Sequence, residues 1–249
     1  MKKNLFIIQN ITPHNSRSPE RGSAIFYILI AIVLFAALNF AVSNINRGGD
    51  SGLSKELQRV YAGEIIDYSK SLRRAVQNMR ISGVADTDIS FDNQYVSGYQ
   101  HSPEQPDQNK VFSKTGGAIN YVEPNPDWLI ANPPNPLNYG NWFFYGEGVI
   151  LDVGTSAADL TVTLSWIKKD ICIAINDLLG IENPDGEPPQ EDGNAVIAPF
   201  TPFAGTYAAN VEVANGTAEL ETGLMAACFE GDTVPPADTY HYYQVLIAR

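Results

Sequence analysis

The sequence predicts an α+β protein: a long N-terminal helix with a membrane half and an amphipathic half, followed by a domain built on an antiparallel β-sheet. Three observations carry that expectation. Residues 24–43 hold no charge, and at ~1.5 Å per residue a helix of about twenty residues reaches across the ~30 Å hydrocarbon core of a bilayer. Leu57, Tyr61, Ile65, Tyr68, Leu72, Val76 and Met79 recur at steps of three and four, the period of an amphipathic helix. Within 142–167, and again over 240–248, short runs rich in β-branched and aromatic residues read as strands.

The segment before the apolar run carries Lys2, Lys3, Arg17 and Arg21 against Glu20 alone, and the positive-inside rule places such a segment in the cytoplasm. At the junction, Arg21-Gly22-Ser23, a short basic leader ends in glycine, a small residue follows, and the apolar helix starts at once. This resembles the class III signal of type IV prepilins and type II secretion pseudopilins, over the leader, the apolar run and its extension to about residue 82. The resemblance implies cleavage between Gly22 and Ser23 by a membrane prepilin peptidase, and N-methylation of the new terminus. It implies a helix headed by Ala24, Ile25, Phe26, Tyr27, Ile28 and Leu29 that packs against the same segment of other pilin or pseudopilin subunits. It implies a pilin-like fold, with the long helix in the groove of an antiparallel sheet. It also implies a bacterial protein that crosses the inner membrane once, touches the lipid bilayer, and keeps its C-terminal domain in the periplasm.

One departure shapes the functional expectation. The family usually carries Glu five residues into the mature chain, where Tyr27 stands here. A carboxylate in lipid requires a partner, so its absence points away from a bulk, repeating subunit and toward a minor or tip subunit. Two other readings of the apolar run stay open. It suits an uncleaved signal anchor, or a secretory signal cleaved after Ala41-Val42-Ser43, although it exceeds the usual h-region of about 7–15 residues.

The expected divisions are a leader (1–22), a membrane and filament-core helix (23–43), an amphipathic extension (44–83) and an α+β domain (84–249). Arg47 and Gly48-Gly49 are expected to interrupt or bend the helix, with Ser51 or Ser54 capping its second half and Gly83 ending it. Proline clusters at 102–107, 123–127 and 132–136 make the next stretch irregular, with short extended pieces at 89–91, 111–113 and 118–122. Such a loop region is where partner surfaces can sit. Strands are expected at 142–145, 149–153 and 160–167. In the last, Thr161, Thr163 and Ser165 alternate with Val162, Leu164 and Trp166, which predicts one wet and one buried face. A second helix follows over 168–180, then extended pieces at 207–213 and 226–229, then the terminal strand.

The chain has a net charge of −12. From residue 83 onward only Lys110, Lys114, Lys168, Lys169 and Arg249 are basic. Such a surface repels phosphate backbones and excludes nucleic acid as a partner. Cys172 and Cys228 are expected to form a disulfide, worth roughly 4 kcal/mol in the chain-entropy model for a loop of that length; a metal or redox site lacks both CxxC spacing and a nearby His.

Catalysis has no foothold. His14, His101 and His241 stand at no recognised spacing to Asp or Ser, and no GxSxG, HExxH, Walker or Rossmann pattern occurs. Calcium has two weak candidates. One is the series Asp86, Asp88, Ser90 and Asp92, where Phe91 occupies the position that needs Gly. The other is the acidic loop bearing Asp185, Glu187, Glu191 and Asp192. The function expected is a non-enzymatic structural subunit of a type IV pilus-like or type II secretion-like filament, assembled through its hydrophobic helix. The alternative is a signal-anchored periplasmic binding module that does not polymerise.

Overall fold

The computed structural model describes residues 22–134, 138–191, 201–213 and 219–249, with side chains described for all of these except 22–25 and 38–54. The chain falls into two units, Met1–Gly52 and Leu53–Arg249. Helix α1 is assigned to Gly22–Ile81. Its backbone is helical at Gly48-Gly49, where the sequence predicts an interruption; each glycine costs about 1 kcal/mol relative to alanine in a helix without forbidding the conformation. The C-terminal end is as expected. Gly83 adopts φ +94°, and its N–H and that of Val84 donate to the carbonyls of Arg80 and Met79, which satisfies acceptors the helix leaves open.

In the second unit α1 buries Ile65, Leu72, Val76 and Met79 of the predicted stripe, together with Ala62; Tyr61 and Tyr68 are partly buried against the core, and Leu57 is 48% exposed. Ser69 lies in that stripe and shares a buried 2.7 Å hydrogen bond with the Tyr242 hydroxyl. Tyr68 packs on Trp142 at 5.1 Å between ring centroids. Ser69→Ala is expected to cost about 1–2 kcal/mol, because it strands the Tyr242 hydroxyl in a dry site. Adding Tyr242→Phe should recover much of that loss, and urea unfolding of the two single variants and the double variant measures the coupling.

The sheet contains β1 (Trp142–Ile150), β2 (Asp159–Ile167), β3 (Gln190–Glu191), β4 (Val211–Val213), β5 (Ala226–Gly231) and β6 (Tyr240–Ile247) in the spatial order β3-β5-β6-β2-β1-β4. The four long strands pair antiparallel. Both edges are parallel: β4 on β1 and β3 on β5. The result is a mixed, six-stranded sheet that curls nearly into a barrel. The expectation of a pilin-like fold, a long helix with a membrane half on an antiparallel sheet, is corrected accordingly.

The membrane half is corrected as well. Among the described residues no helix is long and apolar enough to cross a membrane. The expected transmembrane helix and the single-pass inner-membrane location do not stand.

Strand β2 departs from its predicted wet face. All nine of its residues are buried. Thr161, Thr163 and Ser165 share their side of the sheet with Phe143, Tyr145, His241 and Tyr243, as the strand registers require. The alternation of hydroxyl and apolar residues therefore marks two kinds of interior, not interior and solvent. At Trp166 the register slips between Ser165 and Ile167. Trp166 is the inserted residue, at φ +68°, a conformation costing a non-glycine residue on the order of 1–3 kcal/mol. The bulge brings its ring to 5.1 Å from His241, away from Val162 and Leu164, with which simple alternation groups it.

Helix α2 (Lys169–Leu179) ends at Gly180 in the left-handed conformation and lies against β5 through two fastenings. Cys172 and Cys228 form the expected disulfide, with Cα atoms 5.3 Å apart. One turn on, the fully buried Asn176 side chain accepts the Cys228 N–H at 3.0 Å and donates to the Cys228 carbonyl at 2.8 Å.

Candidate functional site

Two features of the described surface are not accounted for by folding, and they lie in different units. The first is the head of α1. Phe26, Tyr27, Ile28, Leu29, Ile30, Ile32, Val33, Leu34 and Phe35 are each between 40% and 67% exposed. The apolar residues occur all round the helix. Exposed hydrocarbon on this scale is a binding surface or a liability. Of the processing and filament residues expected from the sequence, Phe26, Tyr27, Ile28 and Leu29 are thus placed on an uncovered apolar rod. The backbone is helical at Gly22, Ser23, Ala24 and Ile25, whose side chains lie outside the described residues, as does the leader over 1–21.

The second feature is in the irregular region after α1. Segment 84–134 holds three one-turn helices, Asp86–Asp88, Asp107–Asn109 and Pro126–Trp128. Of the extended pieces expected there, Ser90 makes a single parallel bridge with Lys110. Aromatic packing anchors the region. Phe91 stacks on Phe144 of β1 at 4.1 Å, Tyr99 and Phe112 meet Phe144 edge-on, and the Tyr99 hydroxyl accepts the Phe144 N–H at 3.1 Å. The Tyr68 hydroxyl donates to the Asn120 carbonyl and accepts the Val122 N–H. Against this base a cleft of about 380 Å³ opens beside Tyr95 and Tyr121.

The calcium candidates do not converge. Asp86 is paired with Arg80 at 2.6 Å. Asp92 accepts from Gln100 and lies 3.4 Å from the Lys110 ammonium. In the acidic loop Glu187 pairs with Lys169, Asp185 is exposed, and Glu191 is buried in β3; Asp192 lies outside the described residues. Among the described residues no group of three or more His, Cys, Asp and Glu is arranged to hold a metal ion.

The histidines are structural in setting. His101 is nearly buried and its pKa is lowered by that burial. His241 is fully buried between Trp166 and Phe229; its Nε2 shares a 2.9 Å hydrogen bond with the Thr239 hydroxyl, and desolvation lowers its pKa to about 3. Ser165 stands opposite it in the β2–β6 ladder. Both residues are closed off from substrate.

The cleft was not foreseen from the sequence. Tyr95, Phe112 and Tyr121 sit among prolines and amides with no period to group them, and only the local density of aromatic residues in a loop marks them. No protein-family model, no curated protein and no solved structure matches the chain.

Proposed function

We propose that the chain is a non-enzymatic structural subunit of a filament of the type IV pilus or type II secretion kind, processed after Gly22 and assembled through its apolar N-terminal helix. One observation carries this reading: the exposed run from Phe26 to Phe35, whose large apolar side chains stand uncovered at 40–67%. Packing against the same segment of neighbouring subunits would remove this surface from water, at about 25 cal/mol per Å² of apolar area. The occupants of that surface are other pilin or pseudopilin subunits, and the processing partner is a prepilin peptidase. Tyr27, where this family usually has Glu, supports a minor position over a bulk one, because a shaft subunit would use that carboxylate to meet its neighbour's amino terminus.

Intact-mass measurement of the natural protein tests the reading. A chain starting at N-methylated Ser23 is expected, and Gly22→Leu should abolish processing and leave the full-length mass. A natural chain that retains Met1 would overturn the filament reading in favour of a binding module that does not polymerise. A chain that starts at Asn44 would remove the helix altogether and overturn it equally.

A further inference from the structure

We propose that the cleft beside Tyr95 is a binding site for a neutral carbohydrate chain, with the Tyr95 ring as the platform on which one sugar ring stacks. The proposal is independent of the apolar helix and lies wholly in the second unit.

Tyr95 is 51% exposed. Its inner face stacks on Tyr121 with centroids 5.2 Å apart and planes 19° from parallel, so its outer face is turned to solvent. Tyr121 is nearly buried and is braced edge-on by Phe112 at 5.4 Å. Phe112 in turn meets Phe91 and Phe144 of the main core. The Tyr95 backbone is fixed as well, since the Asn93 carboxamide oxygen accepts the N–H groups of Tyr95 and Val96 at 2.8 Å each. An exposed aromatic ring held this firmly loses little side-chain entropy when a ligand covers it.

The rim chooses among ligands. Gln94 and Asn120, both exposed, line the cleft, and the carboxamide of each offers two donors and an acceptor oxygen. Asp92 also lines the cleft, its carboxylate held by Gln100 at 2.8 Å and by the Lys110 ammonium at 3.4 Å. A pyranose fits this combination: its axial C–H face is apolar and stacks on an aromatic ring, while its equatorial hydroxyls run round the edge and require donors and acceptors together.

Phosphate-bearing ligands are disfavoured by the carboxylates of Asp92, Glu104 and Asp107, which gather round the single Lys110 ammonium. An apolar peptide would make no use of the amides on the rim. The cleft continues past Phe112 into a second depression of about 500 Å³ that reaches Lys110 and Ser113 and shares Asp92, Asn93 and Gln94 with the first. That length suits an oligosaccharide better than a single sugar.

The test is titration of the full chain with cellohexaose, maltohexaose, chitohexaose and a proline-rich decapeptide, followed by calorimetry and intrinsic fluorescence. At least one of the three oligosaccharides is expected to bind. Tyr95→Ala should weaken that binding by about tenfold or more while leaving the thermal midpoint in place, since an exposed ring contributes little to stability. Tyr95→Trp should retain binding and Gln94→Ala should weaken it. Failure of all three sugars at about 10 mM, equivalent to less than about 2.7 kcal/mol of binding, would overturn the proposal. Sugar binding unchanged by Tyr95→Ala would overturn the assignment of the site. Binding of the peptide alone, lost in Tyr95→Ala, would replace the carbohydrate with a protein ligand.

Discussion

Replacing Cys172 and Cys228 together with alanine is expected to lower the stability of the second unit by about 2–5 kcal/mol, the range for removing a native disulfide from a domain of this kind. The bond joins residues 56 apart in sequence, and the loop it closes contains the end of α2, β3, β4 and part of β5. Without it the unfolded chain regains the freedom of that whole loop, while the folded state loses the tie between α2 and the sheet. The Asn176 carboxamide, bonded to both backbone groups of Cys228, then remains as the second fastening at the same place. Asn176→Ala in the alanine background should therefore cost more than it does beside an intact disulfide, because the two devices restrain the same contact and their effects do not add. Urea denaturation followed by circular dichroism, with and without reductant, measures both. A loss under about 1 kcal/mol on removing the disulfide would show that Asn176 and the apolar side of α2 hold the attachment unaided.

Acid is expected to unfold the domain through His241. Its folded pKa is about 3, against an unfolded value near 6.5, so the native state binds fewer protons than the unfolded state between those two limits. The stabilisation is complete above pH ~6.5 and is lost progressively as pH falls toward 3, at up to about 1.4 kcal/mol per pH unit. Integrated over the window this amounts to about 4–5 kcal/mol, of the order of the whole stability of many domains. The physical cause is the site itself. The ring lies between Trp166 and Phe229, and its Nδ1 has no hydrogen-bond partner among the described residues, so a second proton would sit in apolar surroundings. His241→Gln keeps a polar group within reach of Thr239 and removes the titration. Urea midpoints taken from pH 7 to pH 4 should fall steeply for the natural chain and much less for the variant. Parallel profiles would mean that the imidazolium finds a partner in the acid state.

The parts of the fold that were legible in the sequence are those in which one face repeats. The stripe from Ile65 to Met79 gave the helix and its buried side, and Gly180 marked the end of α2. The runs at 160–167 and 240–248 gave β2 and β6, because β-branched and aromatic residues fit a pleated surface whichever partner lies beside them, whereas the two strands expected at 142–145 and 149–153 are one strand, Trp142–Ile150, that runs on through Gly146 and Gly148. What failed depended on partners that a single segment does not reveal. The two parallel edges, β3 and β4, contain two and three residues, too few for any period to show. The face carrying Thr161, Thr163 and Ser165 looked solvated because hydroxyls usually are; here they are enclosed beside Tyr145, His241 and Tyr243. The bulge at Trp166 has no local signature, since a tryptophan at positive φ is a cost that only the packing around it sustains. At the candidate sites the exposed head of α1 was readable from composition alone, whereas Tyr95 and Tyr121 meet only once the loop between them has folded back.

The parallel pairing of β3 and β4 at the two margins of the sheet bears on how the chain meets copies of itself. An open sheet margin invites another strand to add on, and that reaction runs in competition with any ordered mode of association. Here each end strand pairs in parallel with its neighbour, over two residues for β3 and three for β4 among the described residues. Where copies of the chain come together, fusion of their sheets would have to start at these parallel margins.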